Sequence, residues 1–561
     1  MPSRPRMAAA ASAKPAHPIR QSLRHALRQA GFAGAALLAT AGLSTNAAYA
    51  TPQKLLTKHL PPMSGQEQFV AGLPLNQNMR LAITLPMHNE KRLDALLRDL
   101  QDPSSPYYRH YLSVAEFTDR FGPTASEYAT LRRFAVANGF TERSTSANRY
   151  VLDVEAPVAT IQQAFGIHLG QYRRPDGSLF IAPDREPTMD IATPVLHISG
   201  LDDFARPVPL GVRGTDANRI QANGTGPNGN YTGTDMRTAY YGGTALNGAG
   251  QIIGLIEYIG YNITDVQNYF KTLNQPLNVP IVGISVDGTS LSCTGSCDDF
   301  EPALDIEQSI AMAPGLSQLT FYIGNTTIAI LNRIATDNTA KQISSSYAWL
   351  PDAVVEDPVY KEFAAQGQSF VNASGDKGFN MVKGGVWPAD DANVTGVGGT
   401  DLTTSGLNGQ WLSETGWADS GGGPSPNGVK IPSWQKPFVN ANNKAAAARR
   451  NVPDIAAEAN YDNYACFQGK CSGGCGGTSF AAPRWAGFIA LVNQQSEATK
   501  KTTVGFLNPT LYKLAGGNTY TSDFHDITSG FNGKYYAVPG YDDVTGLGSP
   551  QAALINALVG Q

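Results

Sequence analysis

Through the second half of this chain, short apolar runs alternate with helical stretches, and that alternation limits what it can fold into. Ile252-Ile253-Gly254-Leu255-Ile256 opens the series, with further strand candidates at Leu319–Ile323 and Phe370–Ala373. Helical stretches at Pro302–Met312, Val354–Ala365 and Ala481–Gln494 lie between and after them. A strand that is apolar on both faces needs cover on both faces. The pattern therefore predicts a mainly parallel sheet with helices on both sides, an α/β architecture.

Residues 51–205 read differently. Leu93, Leu96, Leu97 and Leu100 have helical rhythm, as do Tyr128, Leu131 and Phe134, and the turn Asp102-Pro103-Ser104-Ser105-Pro106 separates the two stretches. Tyr150-Val151-Leu152-Asp153-Val154 reads as a strand. The expectation is a small α+β domain. From 206 to 232 the chain turns to Gly, Asn, Thr and Pro, which is linker composition. A length of 561 residues accommodates several such units at roughly 150 residues each. The organisation read from the sequence is 1–50, 51–205, 206–232 and 233–561.

The first fifty residues hold six Lys/Arg and no Asp/Glu, then an apolar run at Gly31–Leu43, then Ala48-Tyr49-Ala50. That order is an export signal with a small-residue cleavage site. No later stretch reaches the roughly eighteen apolar residues of a membrane span, so a secreted or periplasmic product without a membrane anchor is expected. A net charge of −4 gives no reason to expect a nucleic-acid partner. Five cysteines lie late in the chain. In an oxidising compartment, small loops closed by Cys293–Cys297 and Cys466–Cys471 are expected, leaving Cys475 odd, although the sequence does not fix the pairing. Zinc is the weaker reading, because C-x2-C spacing and nearby histidine are both missing.

Chemistry in the larger part must manage with almost no histidine: seven of the eight His precede residue 200, leaving His525. Gly476-Gly477-Thr478-Ser479 opens an apolar helix and places a hydroxyl where backbone N–H groups and the positive helix end converge. An ordinary helix cap has the same look. A Ser nucleophile needs a base. Glu301 and Asp305 stand i, i+4 on one helix face, where a coupled carboxylate pair can serve in acid, although solvated acidic residues are common in first turns.

At these residues the larger part resembles the sedolisins, the serine-carboxyl peptidases, which look like subtilisins with the His base replaced by Glu. The family's E-x3-D helix matches Glu301 and Asp305. Its S-G-T-S-x3-P segment matches Gly476 to Pro483, with Gly476 in place of the first Ser. Its S-G-D-x-G segment is Ser374-Gly375-Asp376-Lys377-Gly378, and its S-G-G-G segment is Ser420-Gly421-Gly422-Gly423.

The resemblance implies a subtilisin-like fold and an acid-active endopeptidase that hydrolyses polypeptides, with Ser479 as nucleophile and Glu301 as general base. It implies that Asp305 positions Glu301 and that a protonated Asp376 lines the oxyanion hole. Ser420, Gly421 and Gly422 would contact substrate. Glu257 matches a residue that extends the proton network in some members, while Tyr347 stands where their Trp would be. The segments around 524–530 and 538–546 look like the family's calcium loop. One structural Ca²⁺ would be held by the side chains of Asp526 and Asp542 and the carbonyls of Ile527, Val538 (a Gly in the family) and Gly540.

Residues 51–205 are similar to the family's activation prodomain through Asp102–Tyr111, Phe117, Phe121-Gly122-Pro123-Thr124 and Ala164-Phe165. This implies a self-activating, monomeric proenzyme with the prodomain as its intramolecular inhibitor, which protonation of His59, His88, His110, His168 and His197 would loosen. Two other readings stand beside this one: a neutral serine hydrolase using His525, and a calcium-stabilised binding protein without catalysis.

Overall fold

The computed structural model describes residues 53–213, 222–379 and 386–560. The expected export signal, 1–50, lies outside the described residues, as do residues 214–221 of the expected linker.

The strand candidates of the larger part all fall in one sheet. Ile252–Glu257 lies at its centre, with Gln318–Ile323 and then Ile281–Ser285 on one side. On the other side come Gln342–Ser345, Ser369–Ala373 and Thr395–Thr404 in order, and every one of these pairings is parallel. Thr395–Thr404 also pairs parallel with Ile455–Glu458 and antiparallel with Trp411–Gly416, which the sequence reading did not foresee.

Two helices run through the core. All thirteen residues of Phe300–Met312 are buried, and Thr478–Ala498 is buried over most of its length. A helix buried on every side lies inside a large domain, and Phe300–Met312 takes its polar residues Glu301, Asp305, Glu307, Gln308 and Ser309 in with it. The carboxylates of Phe300–Met312 are therefore buried with the rest of it, so the solvated reading of Glu301 and Asp305 fails.

Residues 53–205 form the expected α+β arrangement. A four-stranded antiparallel sheet is ordered Thr141–Thr145, Val151–Pro157, Asn78–Thr84, His197–Ser199. Helices Val114–Phe121 and Ala125–Ala137 each begin with a capping box, Ser113 with Glu116 and Thr124 with Glu127. These side chains satisfy backbone N–H groups that the first turn leaves unpaired.

This part is hydrogen-bonded to the rest along its length. Asn148 donates to Asn332 and Glu362, the Tyr150 hydroxyl to Val355 O, and Leu112 N–H to Ala365 O. Both described ends of the expected linker are held too. Tyr231 bonds to Asp462 O and Leu402 O, and residues 208–212 are paired with the larger part as described below. Disulfides join Cys293–Cys297 and Cys466–Cys471, the latter across a hairpin; Cys475 is buried outside both. No described helix is long and apolar enough to cross a membrane.

Candidate active site

Ser479 is the second residue of its helix and is fully buried. The residue before the helix, Gly477, has φ 120°, a conformation open mainly to glycine. A Cβ there would lie 2.5 Å from Asp376 Oδ2. Glycine thus lets the chain turn sharply into the helix and lets Asp376 approach.

Asp376 follows the Ser369–Ala373 strand. Its Oδ1 accepts both the N–H and the hydroxyl of Thr478, at 2.8 Å each, while Oδ2 has no partner. Burial pushes its carboxyl up to about 7. A proton on this group belongs on the bare oxygen, which then becomes a donor facing the Ser479 helix.

Glu301 and Asp305 are buried on the helix as a pair. Glu301 Oε2 accepts the N–H of Gly211 at 2.8 Å, and Oε1 has no partner. Asp305 Oδ1 accepts the Ser346 hydroxyl at 2.6 Å. Ser346 Oγ also lies 3.3 Å from Ser479 O, so one hydroxyl ties the two core helices together. Ser479 Oγ is near enough to Glu301 to favour its charged form, yet outside hydrogen-bond geometry. Glu257, at the end of its strand, is fully buried beside Asp305 and Tyr347 with both oxygens unpaired.

Burial raises all three carboxyls: Asp305 up to about 8, and Glu301 and Glu257 well above the carboxylate range, with the charge of Asp305 adding to both. The carboxylate pair that the sequence reading expects to serve in acid thus titrates above the ordinary carboxylate range. Buried together, three carboxyls hold fewer charges than groups, and a charge on one makes the next harder to form.

Ser420 and Gly421, read as substrate contacts, have structural tasks. Ser420 Oγ donates to Val544 O and accepts from Gly399 N–H. Gly421 N–H bonds Gly375 O, and Ser374 Oγ bonds Gly421 O, which fixes the loop carrying Asp376. Gly422 is buried against Asp543. Sequence reasoning gave no role to Ser346 or Thr478. Thr478 stands inside the quoted motif, but Ser346 has no local signal beyond a run of three serines.

His525 is remote in kind. Its ring stacks flat on Trp411 with centroids 3.9 Å apart, and burial lowers it to about 4. A ring held this way makes no hydrogen bond to Ser479 among the described contacts, which removes the support for the histidine reading.

In the C-terminal segment, Asp526 accepts the N–H of Gly540, and Asp542 accepts those of Val538, Val544 and Thr545. Tyr520 feels both carboxylates. No described Lys, Arg or His forms an ion pair with either. Two partly or wholly buried carboxylates with no side-chain cation beside them are hard oxygen donors of the kind that suits Ca²⁺. A second acidic group, Asp401, Glu458 and Asp462, has ligand atoms within 4.8 Å of one another. The sequence reading did not find it, and two of its oxygens, on Glu458, already accept backbone N–H groups.

The chain is similar to known proteins along most of its length. Residues 66–204 match the family model described as Pro-kumamolisin, activation domain, and residues 305–520 match the Subtilase family. Kumamolisin of Bacillus sp. (strain MN-32) is 32% identical over 523 residues, covering 85% of this chain and 91% of the relative. Sedolisin of Pseudomonas sp. (strain 101) is 28% identical over 571 residues, covering 91% of each. Among solved structures, Pseudomonas sedolisin complexed with two molecules of pseudo-iodotyrostatin aligns with a TM-score of 0.50 at 29% identity, over 59% of this chain and 98% of that one.

Proposed function

Because the chain belongs to the sedolisin family and is a serine-type peptidase carrying an activation domain, we propose that it is a secreted, acid-active endopeptidase made as a self-activating proenzyme. The observation that carries this reading is that Ser479 Oγ, Glu301 Oε1, Asp305 Oδ2 and Asp376 Oδ2 are all buried without a partner, while Ser346 bridges Asp305 to Ser479 O and Asp376 accepts from Thr478 beside Ser479.

Ser479 Oγ attacks the substrate carbonyl carbon and gives its proton to Glu301, which accepts it in its ionised form. Asp305, held by Ser346, orients Glu301, and Glu257 lies next along the proton network. The tetrahedral oxyanion accepts a hydrogen bond from protonated Asp376. Glu301 then protonates the leaving amine, and water repeats the cycle on the acyl ester. Ca²⁺ held by Asp526, Asp542 and the carbonyls of Ile527, Val538 and Gly540 would fix the C-terminal loop. The activation domain acts as an intramolecular inhibitor.

The test is acid incubation of the full chain with denatured casein. The reading expects hydrolysis by the wild type and none by Ser479→Ala of equal stability. Equal hydrolysis by both would end it.

A further inference from the structure

We propose that residues 208–213 are seated as the chain's own first substrate, that the bond cut on maturation is Leu210–Gly211, and that Arg213 marks a subsite for a cationic residue three places beyond the scissile bond. This rests on the peptidase reading above and goes beyond it in naming the bond and the subsite.

The segment is held on both sides of one peptide. Val208 and Pro209 pair antiparallel with Ala348 and Tyr347, and Leu210 N–H donates to Ser346 O at 3.0 Å. Beyond it, Val212 and Gly476 exchange both backbone hydrogen bonds, at 2.8 and 2.9 Å. Gly476 stands three residues before Ser479. The intervening peptide, Leu210–Gly211, therefore crosses the site.

Its two polar atoms face the two groups that hydrolysis requires. The Gly211 nitrogen, the amine that leaves, lies 2.8 Å from Glu301 Oε2. The Leu210 carbonyl oxygen shares the space above Gly477 with Asp376 Oδ2: a Cβ on Gly477 would meet them at 2.9 and 2.5 Å. A one-residue slip would exchange the faces of every side chain and break the pairings on both sides. Gly211 also suits its place sterically. A Cβ there would collide with Glu301 Oε2 and lie 2.9 Å from Phe300 Cε1.

Arg213 is anchored at the far end. It pairs with Asp298, and its guanidinium lies 4.9 Å from the ring centroids of both Phe300 and Phe467. Those rings meet edge to face at 4.7 Å. A planar cation between two aromatic rings and a carboxylate is a recognition geometry, and a carboxylate side chain there would be repelled by Asp298.

The step balances. Ser479 Oγ bonds to the Leu210 carbonyl carbon and its proton passes to Glu301. The bond to Gly211 N breaks as that nitrogen takes a proton from Glu301. Water then splits the ester, leaving a Leu210 carboxyl and a Gly211 amine.

The experiment shifts purified full chain to acid and follows intact mass and N-terminal sequence with time, with casein hydrolysis measured in parallel. The first product is expected to begin at Gly211, with its complement ending at Leu210, at a rate independent of chain concentration. Gly211→Val is expected to slow that cut at least tenfold, and Ser479→Ala to abolish it. With the matured enzyme, a peptide carrying Arg three places beyond the cut is expected to be hydrolysed about tenfold faster than its Glu counterpart, a difference of about 1.4 kcal/mol. A first cut at another bond with casein hydrolysis intact overturns the assignment of the bond and leaves the peptidase reading standing. Equal rates for the two peptides overturn the subsite. No cut and no casein hydrolysis at any pH overturns the peptidase reading and this inference with it.

Discussion

Asp376 takes both hydrogen bonds from Thr478 on a single oxygen, Oδ1, and leaves Oδ2 bare and turned toward the nucleophile's helix. That asymmetry decides where its proton sits and makes the group a donor only while protonated. Asp376→Asn keeps the acceptor for Thr478 and supplies an N–H in place of the acid proton at every pH. It is expected to stay active and to lose the decline expected of the wild type as pH rises through about 7. Asp376→Ala is expected to lose about 10²–10³ in kcat. Steady-state kinetics of the three proteins from pH 3 to 8 checks this. An unchanged decline in Asp376→Asn would contradict the assignment.

Stability is expected to run opposite to ordinary acid denaturation. Burial holds Asp305 at about 8, Asp376 at about 7, Glu356 at about 7 and Glu362 at about 8. The folded chain therefore binds more protons than the unfolded chain from about pH 4 to about pH 7, and stability falls as pH rises through that window. His59, His197 and His525 act in the opposite sense but are fewer than the raised carboxyls. Calorimetry of Ser479→Ala at pH 4.5 and 7.5 is expected to give the higher Tm in acid. A Tm that climbs with pH would contradict the account.

Acid is expected to loosen the activation domain through His59 and His197, which stack 4.3 Å apart. His59 Nε2 accepts the Ile198 N–H, a bond that an imidazolium cannot make. Burial lowers these rings to about 4 and about 3, so they contribute stability at neutral pH that is lost as pH falls below about 6.5. Glu186 faces His59. Thr57 and Asp352 face His197, and Asp352 and Asp202, both held near 6 by burial, titrate the other way. Replacing both histidines by Gln is expected to move the opening of residues 186–199, read by hydrogen exchange in Ser479→Ala, about one pH unit lower. Unchanged opening would remove the histidines from the switch.

Calcium is expected to stabilise the folded chain through Asp526 and Asp542. At a thousandfold excess over Kd the gain is about 4 kcal/mol. Chelation at pH 7 should lower the Tm of Ser479→Ala, and Asp542→Ala should make the Tm indifferent to calcium. A Tm that ignores chelation in the parent would refute the site.

Much of this was legible in the sequence because it is local. The runs at 252–256, 319–323 and 370–373 carry their burial in their composition, and each became a parallel strand. Glu301 and Asp305 share a face through helical spacing alone. What depended on distant pairing was not legible. Residues 208–212 read as linker, because nothing in Val-Pro-Leu-Gly-Val announces pairing with residues 346–348 and 476. The raised carboxyls of Glu301 and Glu257 depend on which helices cover them. Ser346 acts only because the fold brings it to Asp305, 41 positions away.

The central claim is that a carboxylate, and no histidine, serves Ser479. It is tested most directly by pH–rate profiles of wild type, Glu301→Gln and His525→Ala. Each would carry a recognition site for an unrelated protease within residues 214–221, so that release does not depend on the chain's own activity. The account expects an acid maximum in wild type and His525→Ala, and a loss of at least about 10³-fold in Glu301→Gln with fold and calcium retained. Activity centred at neutral pH that survives Glu301→Gln and disappears in His525→Ala would contradict it.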